Sequence, residues 1–456
     1  MLKPESSSFR DPSGYLVIHE NVYYRVINKV YASQIELLES SGLLAKLFEH
    51  NWLVGHERVN NLESLLPDAY AILKPKQIPI ITYPYEWCFG QLKDAALLTL
   101  RIQSLALQYE MILKDASAFN VQFFGHRPVF IDTLSFEKYV DGQPWQAYKQ
   151  FCEHFLAPLC LCAYSGSHYM SLLKLNLDGI RLNLASEILP FQTWFRPSVL
   201  LHLHLHSRTI KKFESNSGGK KTNTRIKKEN LIALTDHLIN FVEGLQLRKG
   251  ERTTWKDYDK QIHYSDNSRK NKGDIVKDYV GKVDPTVIWD IGGNDGFFSR
   301  LVSEPHRLIL SLDADILAIE KNYGLNKQLK EDRVMPLCFD MANPTSNLGW
   351  AGTERTELPK RSKPEMIMAL AVIHHITITH NIPFKMVAAY FADLAEWIII
   401  EWVPADDEKI SPLADTSGKS LYNRKNFEQA FFTYFDCIHE EGISELERTI
   451  LLLKRK

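Results

Sequence analysis

What the chain lacks narrows its class before any motif is considered. It has no Cys-x-x-Cys pair, and its six cysteines, at positions 88, 152, 160, 162, 338 and 437, are scattered. Five of them sit in apolar surroundings, so reduced, buried thiols are expected and a disulfide framework is not. No apolar run approaches the roughly 18 residues that a membrane span needs. The opening residues, MLKPESSSFRDPSG, are polar and hold no apolar core of a secretory leader. The expectation is a soluble, cytoplasmic protein with no membrane span. Neither sign of charge dominates: Lys and Arg number 54 against 55 Asp and Glu, a net charge of −1. Whole-molecule electrostatics therefore mark neither a nucleic-acid binder nor a membrane-surface binder. Nor is the composition that of a disordered chain. Of 456 residues, 45% are hydrophobic and 24% charged, enough for two or three domains with sizeable cores. The oligomeric state is not set by any of this.

A basic stretch divides the chain. Residues 207–228, SRTIKKFESNSGGKKTNTRIKK, carry eight Lys or Arg and one acid, Glu214. Ser, Asn and a Gly pair at the centre predict a flexible linker. Phosphate contact is the alternative, but a single aromatic residue, Phe213, is too little for a base-stacking platform. Just before it, LHLHLHS alternates Leu and His with period two, which predicts a strand with one polar face. A metal site on those histidines lacks an accompanying carboxylate or Cys. The expected organisation is an α+β domain over 1–206, the linker at 207–228, a helical connector over 229–272 and an α/β domain over 273–456.

The last domain is the informative one. TVIWDIGGNDGFFSRLV begins with the apolar run Val287–Trp289 and continues with Asp290, Gly292, Gly293, Asn294, Asp295 and Gly296, then a helix-like FFSRLV. A buried strand, a glycine turn and a helix start are what a parallel α/β sheet uses to hold a nucleotide-like ligand. Glycines let the backbone approach that ligand closely. RLILSLDAD predicts a second strand ending in Asp313, where an acid can accept hydrogen bonds from both ribose hydroxyls. VMPLCFDMANP predicts a third strand ending in Asp340. EMIMALAVIHHI predicts a fourth, ending near His374 and His375, and WIIIEWVP a fifth, ending at Glu401 and Trp402. The tail reads as two strands joined by a short reversal.

A Gly-x-Gly-x-x-Gly motif is missing, which weakens a dinucleotide reading. The Asp-x-Gly-Gly-Asn-Asp-Gly turn and the ordered acidic strand tips instead resemble class I S-adenosylmethionine-dependent methyltransferases. That resemblance implies a Rossmann-like sheet of seven strands and S-adenosyl-L-methionine as cofactor. Asp290, Gly292, Gly293, Asn294 and Gly296 would lie beside its methionine part, Asp313 at the ribose, and Asp340 with Met341 at the adenine edge. Asn294 stands where a glycine is usual, and asparagine tolerates a left-handed backbone. Methyl transfer needs alignment above all. A base is required only if the acceptor must lose a proton, and His374, His375 and Glu401 are the candidates. No Asn-Pro-Pro-Tyr motif follows the fourth strand, which argues against methylation of nucleobase amines.

The first domain carries a second constellation. ILKDASAFNVQFFGHRPVFIDTLSFE holds Asp115, Asn120 and Asp132. Asp-x4-Asn followed by a strand ending in Asp resembles the catalytic loop and metal-binding Asp of kinase-like folds. That likeness implies a proton-accepting Asp115, with Asn120 and Asp132 on magnesium. No Gly-rich phosphate loop or convincing strand lysine accompanies it, so a kinase-like lobe without full catalytic equipment is expected.

Taken together, YPYEWCFGQLKDAALLTL, LKDASAFNVQF, VFIDTLSFE, GQPWQAYKQFCEHFLAPLCL and the last domain resemble a family of bacterial and archaeal class I methyltransferases related to a rhizobial nodulation protein. This supports a methyltransferase and adds little about its acceptor. The missing Asn-Pro-Pro-Tyr motif leaves O-, C- or small-molecule N-methylation open. A small-molecule or glycan acceptor is expected, the glycan by association with nodulation only, and an RNA acceptor rests only on the basic stretch. The alternative is a phosphotransferase, or nucleotide-sensing pseudokinase, fused to a methyltransferase-like scaffold. No metal site is expected in the methyltransferase domain.

Overall fold

The structure is a computed structural model that describes every residue except 1, 61, 63–65, 210–224, 249, 251–265 and 408–420. Most of the expected linker and the middle of the expected connector lie outside the described residues. The chain divides into two units: one holds Met1–Glu251 and Leu348–Arg355, the other Arg252–Asn347 and Thr356–Lys456. No helix among the described residues is long and apolar enough to cross a membrane.

The first unit opens with a five-stranded antiparallel sheet. Its strands are β1 (Lys3–Pro4), β2 (Gly14–His19), β3 (Val22–Asn28), β4 (His56–Arg58) and β5 (Ala69–Pro75), in the order β1-β2-β3-β5-β4. Two helices, Ala32–Ser40 and Leu43–Glu49, separate β3 from β4. Val17, Tyr24, Val26, Leu62 and Ile72 form a small core against this sheet. Helix Phe89–Gln108 follows and is buried along most of its length. It leads into two short antiparallel pairs: β6 (Met111–Leu113) with β9 (Phe136–Lys138), and β7 (Val121–Phe124) with β8 (Arg127–Phe130). Helices make up most of the rest. Segment Leu348–Arg355 is tied into this unit where Arg10 donates to both carboxylate oxygens of Glu354, at 2.5 and 3.0 Å.

One local expectation fails here. The segment LHLHLHS falls largely in a π-helical turn, Leu200–Leu205, not in a strand. His202 and His204 are buried while Leu201 and Leu205 are exposed. The buried histidines have polar partners far along the chain: Tyr148 Oη lies 2.7 Å from His202 Nδ1, and Ser186 Oγ lies 2.7 Å from His204 Nδ1. Those partners hold one nitrogen of the His202 ring inside the unit and, with Thr193 Oγ1 2.9 Å from His204 Nε2, both nitrogens of His204.

The second unit is a seven-stranded sheet, as the strand signals predict. Strands β10 (Val287–Ile291), β11 (Leu308–Asp313), β12 (Val334–Cys338), β13 (Met366–Ala369) and β14 (Trp397–Trp402) are parallel. The antiparallel hairpin β15 (Phe435–Gly442) and β16 (Thr449–Arg455) closes the edge against β14. The order is β12-β11-β10-β13-β14-β16-β15. The inner strands are near-continuous apolar runs because helices cover both faces of a parallel sheet. One such helix, Asp266–Val283, packs Ile275, Val276, Tyr279 and Val280 into the core. The boundary expected between residues 272 and 273 falls inside this helix. After β10 the chain steps to β11 and β12 on one side, then returns to β13 on the other. Ligands in such sheets sit beyond the carboxyl ends of the strands at that reversal.

Candidate functional site

The turn after β10 is shaped by residues that accept a left-handed backbone. Gly292, Asn294 and Gly296 have φ of +70°, +47° and +76°. Gly293 serves a different need: a Cβ there would collide with Ser311 Oγ of β11. The turn is thereby pressed against its neighbouring strand. Asp313, at the tip of β11, locks it in place. Its Oδ2 accepts the Asn294 N–H at 3.0 Å and its Oδ1 accepts the Asp315 N–H at 2.8 Å. Asp290 Oδ2 accepts from Ser299 Oγ at 2.6 Å, and Asp340 Oδ1 accepts the Ala342 N–H at 2.9 Å.

All three acids line one cavity of about 390 Å³ in the second unit, the size range of small-molecule sites. Gly292, Gly293, Asn294, Asp295, Met341 and His375 line it too, while Phe339, Leu370, Ala371, Val372 and Ile376 supply apolar wall. Gly296 is not among the lining residues; it serves the turn, where its φ is needed. Burial pushes Asp290 up to about 7, against the Ser299 hydrogen bond and the charge of Lys272. Burial likewise pushes Asp313 up to about 6, with the amides of Asp315 and Asn294 working the other way. The cavity therefore presents carboxyl groups whose ionisation a bound cation would favour.

The base candidates separate. His375 lines the cavity. His374 is buried and is not among the lining residues. Strand β13 stops at Ala369, and both histidines lie beyond it, where a π-helical turn His375–Thr379 begins. Glu401 is corrected outright as a base. It is fully buried, with Lys272 Nζ 2.6 Å from its Oε2 and Arg448 Nη1 3.3 Å from its Oε1. Burial works against its ionisation, but the two cations outweigh it and hold Glu401 below the usual carboxylate range. A carboxylate so held does not take a proton readily.

The residues that sequence reasoning missed are cationic and aromatic. Arg269 and Lys272, from helix Asp266–Val283, both line the cavity, as do Phe297 and Phe298. The Arg269 guanidinium lies 3.9 Å from the centroid of the Phe297 ring. Their signal was the spacing of Ile275, Val276, Tyr279 and Val280, which marks a helix masked by its polar remainder. His380 also reaches the cavity wall.

In the first unit, Asp115, Asn120 and Asp132 do come together. Asn120 Nδ2 donates to Ser135 Oγ at 3.2 Å, and Ser135 Oγ donates to Asp132 Oδ2 at 2.5 Å. Burial pushes Asp115 up, opposed by the Ser117 amide and by Asn120, with the Asp132 charge adding to the rise. Arg25 of β3, which the sequence did not single out, places Nη2 3.2 Å from Asp132 Oδ1.

No family model matches the chain. It is 31% identical over 460 residues to the nodulation protein NoeA of Rhizobium meliloti (strain 1021), across 99% of this chain and 96% of that protein. Among solved structures, the N-methyltransferase NodS of Bradyrhizobium japonicum WM9, in complex with S-adenosyl-L-homocysteine, overlaps 42% of this chain and 89% of its own, at 9% identity and a TM-score of 0.32. The bifunctional kinase–methyltransferase WbdD overlaps 42% of this chain and 40% of its own, at 15% identity and a TM-score of 0.31. Structural overlaps this loose carry no weight for fold or function.

Proposed function

The chain belongs to the family of the nodulation protein NoeA, and we propose that it is an S-adenosylmethionine-dependent methyltransferase with its cofactor in the cavity between Asp290, Asp313 and Asp340. The observation that carries this reading is the convergence of three acidic strand tips on one glycine-lined cavity at the sheet's reversal point. Helix capping alone would leave three carboxyl groups pointing to separate places. The residues fit the group. The backbone of Gly292 and Gly293 admits close approach, Asp313 is set for ribose hydroxyls, and Phe339 and Met341 offer an apolar face beside Asp340 for a purine.

When bound, the cofactor supplies a methyl group already activated by its sulfonium. This chain's residues then need only bind, orient and exclude water. Arg269 is placed to take the amino-acid carboxylate: of the two cations on the cavity wall, Lys272 is already paired with Glu401. The Glu401–Lys272–Arg448 group is a positioning network, and Arg448 is fixed in turn by Asp407 at 2.8 and 3.0 Å. His375 is the group that could accept an acceptor proton at a ring nitrogen. The acceptor class is a small molecule or glycan bearing a hydroxyl or amine. A glycan rests on the relative's name as a nodulation protein, which is association. RNA has less support, because it rests only on the basic stretch, which holds one aromatic residue, Phe213. We place the protein in the cytoplasm, in keeping with six free cysteines.

Titration calorimetry with S-adenosylmethionine tests this. Micromolar binding that is lost in Asp313→Ala is expected; no binding to the folded wild-type chain would overturn it. His375→Ala is expected to lower turnover of an identified acceptor while leaving cofactor affinity unchanged.

A second reading is favoured by one arrangement in the first unit. The sheet order β1-β2-β3-β5-β4, the long helix, and the Asp115, Asn120 and Asp132 cluster beside two short antiparallel strand pairs resemble a kinase-like lobe. Arg25 on Asp132 places a guanidinium where magnesium would be held. This supports a nucleotide-sensing role over phosphoryl transfer. Binding of ATP that does not require magnesium and is weakened in Arg25→Ala is the expected sign of it; binding that depends on magnesium and on Asp132 would favour phosphoryl transfer instead.

A further inference from the structure

The first unit holds a second cavity that neither reading uses. It measures about 550 Å³ and is lined by Tyr164, Ser165, Ile188, Pro190, Gln192, Thr193, Arg196 and Arg248. Two arginines among so few lining residues are the unusual feature. Both arginines are exposed, and neither pairs with a carboxylate among the described residues. Arg248 is nonetheless held: its Nη1 donates to the Ser165 carbonyl oxygen at 2.9 Å. Arg196 lies close enough to Tyr164 for its charge to act on the phenol.

The wall between them is braced. Thr193 Oγ1 donates to the Pro190 carbonyl at 2.7 Å and lies 2.9 Å from His204 Nε2. Ser186 Oγ holds the other ring nitrogen of His204. The buried imidazole thus cross-links helix Leu182–Ile188, the turn at Thr193 and the π-helical turn. Ser165 Oγ is buried and has no hydrogen-bond partner. A buried hydroxyl left without a partner costs free energy that a ligand oxygen would restore.

Two like charges without a counter-charge repel each other, and a bound anion would relieve that repulsion. The planar forks of arginine match phosphate oxygens in pairs, which a lysine ammonium cannot do. Phe191 and Phe195, 71% and 75% exposed, lie within the lining segment 190–196 and offer apolar surface beside the charge. We propose that this cavity binds a small phosphorylated ligand through a phosphate or pyrophosphate group, with Arg196 and Arg248 as the paired contacts and the Ser165 hydroxyl as a further donor. The ligand is a sugar phosphate or free pyrophosphate, which share the chemistry recognised.

The test is calorimetric titration of the full chain with inorganic pyrophosphate and, separately, glucose 1-phosphate, in low-salt, magnesium-free buffer. Saturable one-site binding of at least one probe is expected. Tighter binding of glucose 1-phosphate would identify the sugar-phosphate source, and binding of pyrophosphate alone the free anion. Arg196→Ala and Arg248→Ala should each weaken binding by about tenfold, with thermal melting unchanged because both side chains are exposed. Arg196→Lys should recover only part of the loss. The proposal is overturned by the absence of saturable heat from both probes, or by unchanged affinity in both alanine variants. It is also overturned by full recovery with lysine, which would reduce the effect to plain charge attraction. Loss of binding in Asp132→Ala or in Lys220→Ala/Lys221→Ala, with the arginine variants unaffected, would move the anion elsewhere and overturn it too.

Discussion

At the scale of single residues, Asp290 and Asp313 set how the proposed cofactor site should respond to pH. Both are raised by burial, to about 7 and about 6. Near pH 6 an empty cavity holds a proton on Asp290 in most molecules. A ligand carrying an ammonium group favours the ionised carboxylate and expels that proton. Affinity for S-adenosylhomocysteine should therefore rise with pH between about 5.5 and 8, by up to about tenfold per pH unit below the raised values. Calorimetry at pH 6 in buffers of different ionisation heat should register proton release; a flat profile would refute the assignment. The stability consequence has the opposite sense. A carboxyl group raised in the folded state favours folding fully below its unfolded pKa, and that contribution is lost as pH rises through about 7. Asp290→Asn should thus melt a few degrees higher than wild type at pH 8 while losing cofactor affinity. Arg269 gives a second residue-level test. Arg269→Ala should weaken S-adenosylhomocysteine by about tenfold and leave 5′-methylthioadenosine, which lacks the amino-acid end, unchanged. Equal losses for both ligands would remove Arg269 from the carboxylate.

At the scale of elements, the turn between β10 and the following helix is the part that must keep its shape. Gly293→Ala forces its new methyl onto Ser311 Oγ, which is itself held by Asn322 Nδ2 at 2.9 Å. The turn must then move away from β11, and Asp313 loses its grip on the Asn294 amide. S-adenosylhomocysteine affinity should fall at least tenfold, and Ser311→Ala in the same chain should restore part of it by making room; the double variant binding no better than the single one would contradict the steric account. The elements themselves were largely legible. Apolar runs bounded by Gly and Asp marked β10 to β14, and the closing hairpin was read from the tail. What stayed hidden depended on distant partners. Glu401 looked like a free acid at a strand tip because Lys272 lies 129 residues away. LHLHLHS looked like a strand because Tyr148 and Ser186, which each pair with one ring nitrogen of its buried histidines, are not its neighbours in sequence. Helix Asp266–Val283 was cut at its middle because its polar residues outnumber the four that anchor it.

At the scale of the whole molecule, the two units carry separate apolar cores, and the proposed cofactor cavity is lined only by residues of the second. A ligand stabilises the folded form that binds it, by about 2.7 kcal/mol at a hundred times its dissociation constant. Scanning calorimetry of the full chain should therefore show two transitions, only one of which moves to higher temperature with S-adenosylhomocysteine. Asp313→Ala should abolish that movement without removing either transition, since Asp313 contributes to the turn and not to a core. The first unit supplies the internal control. Arg25→Ala frees Asp132 from its ion pair and should shift the other transition, with the ligand-induced movement preserved. A single transition that moves as a block would mean that the two cores unfold together, because the chain passes between the units at Glu251, Asn347 and Arg355 and so ties them at three points of its length. In that case Asp313→Ala would still have to abolish the movement, so the assignment of the cofactor to the second unit stands or falls on that variant and not on the number of transitions.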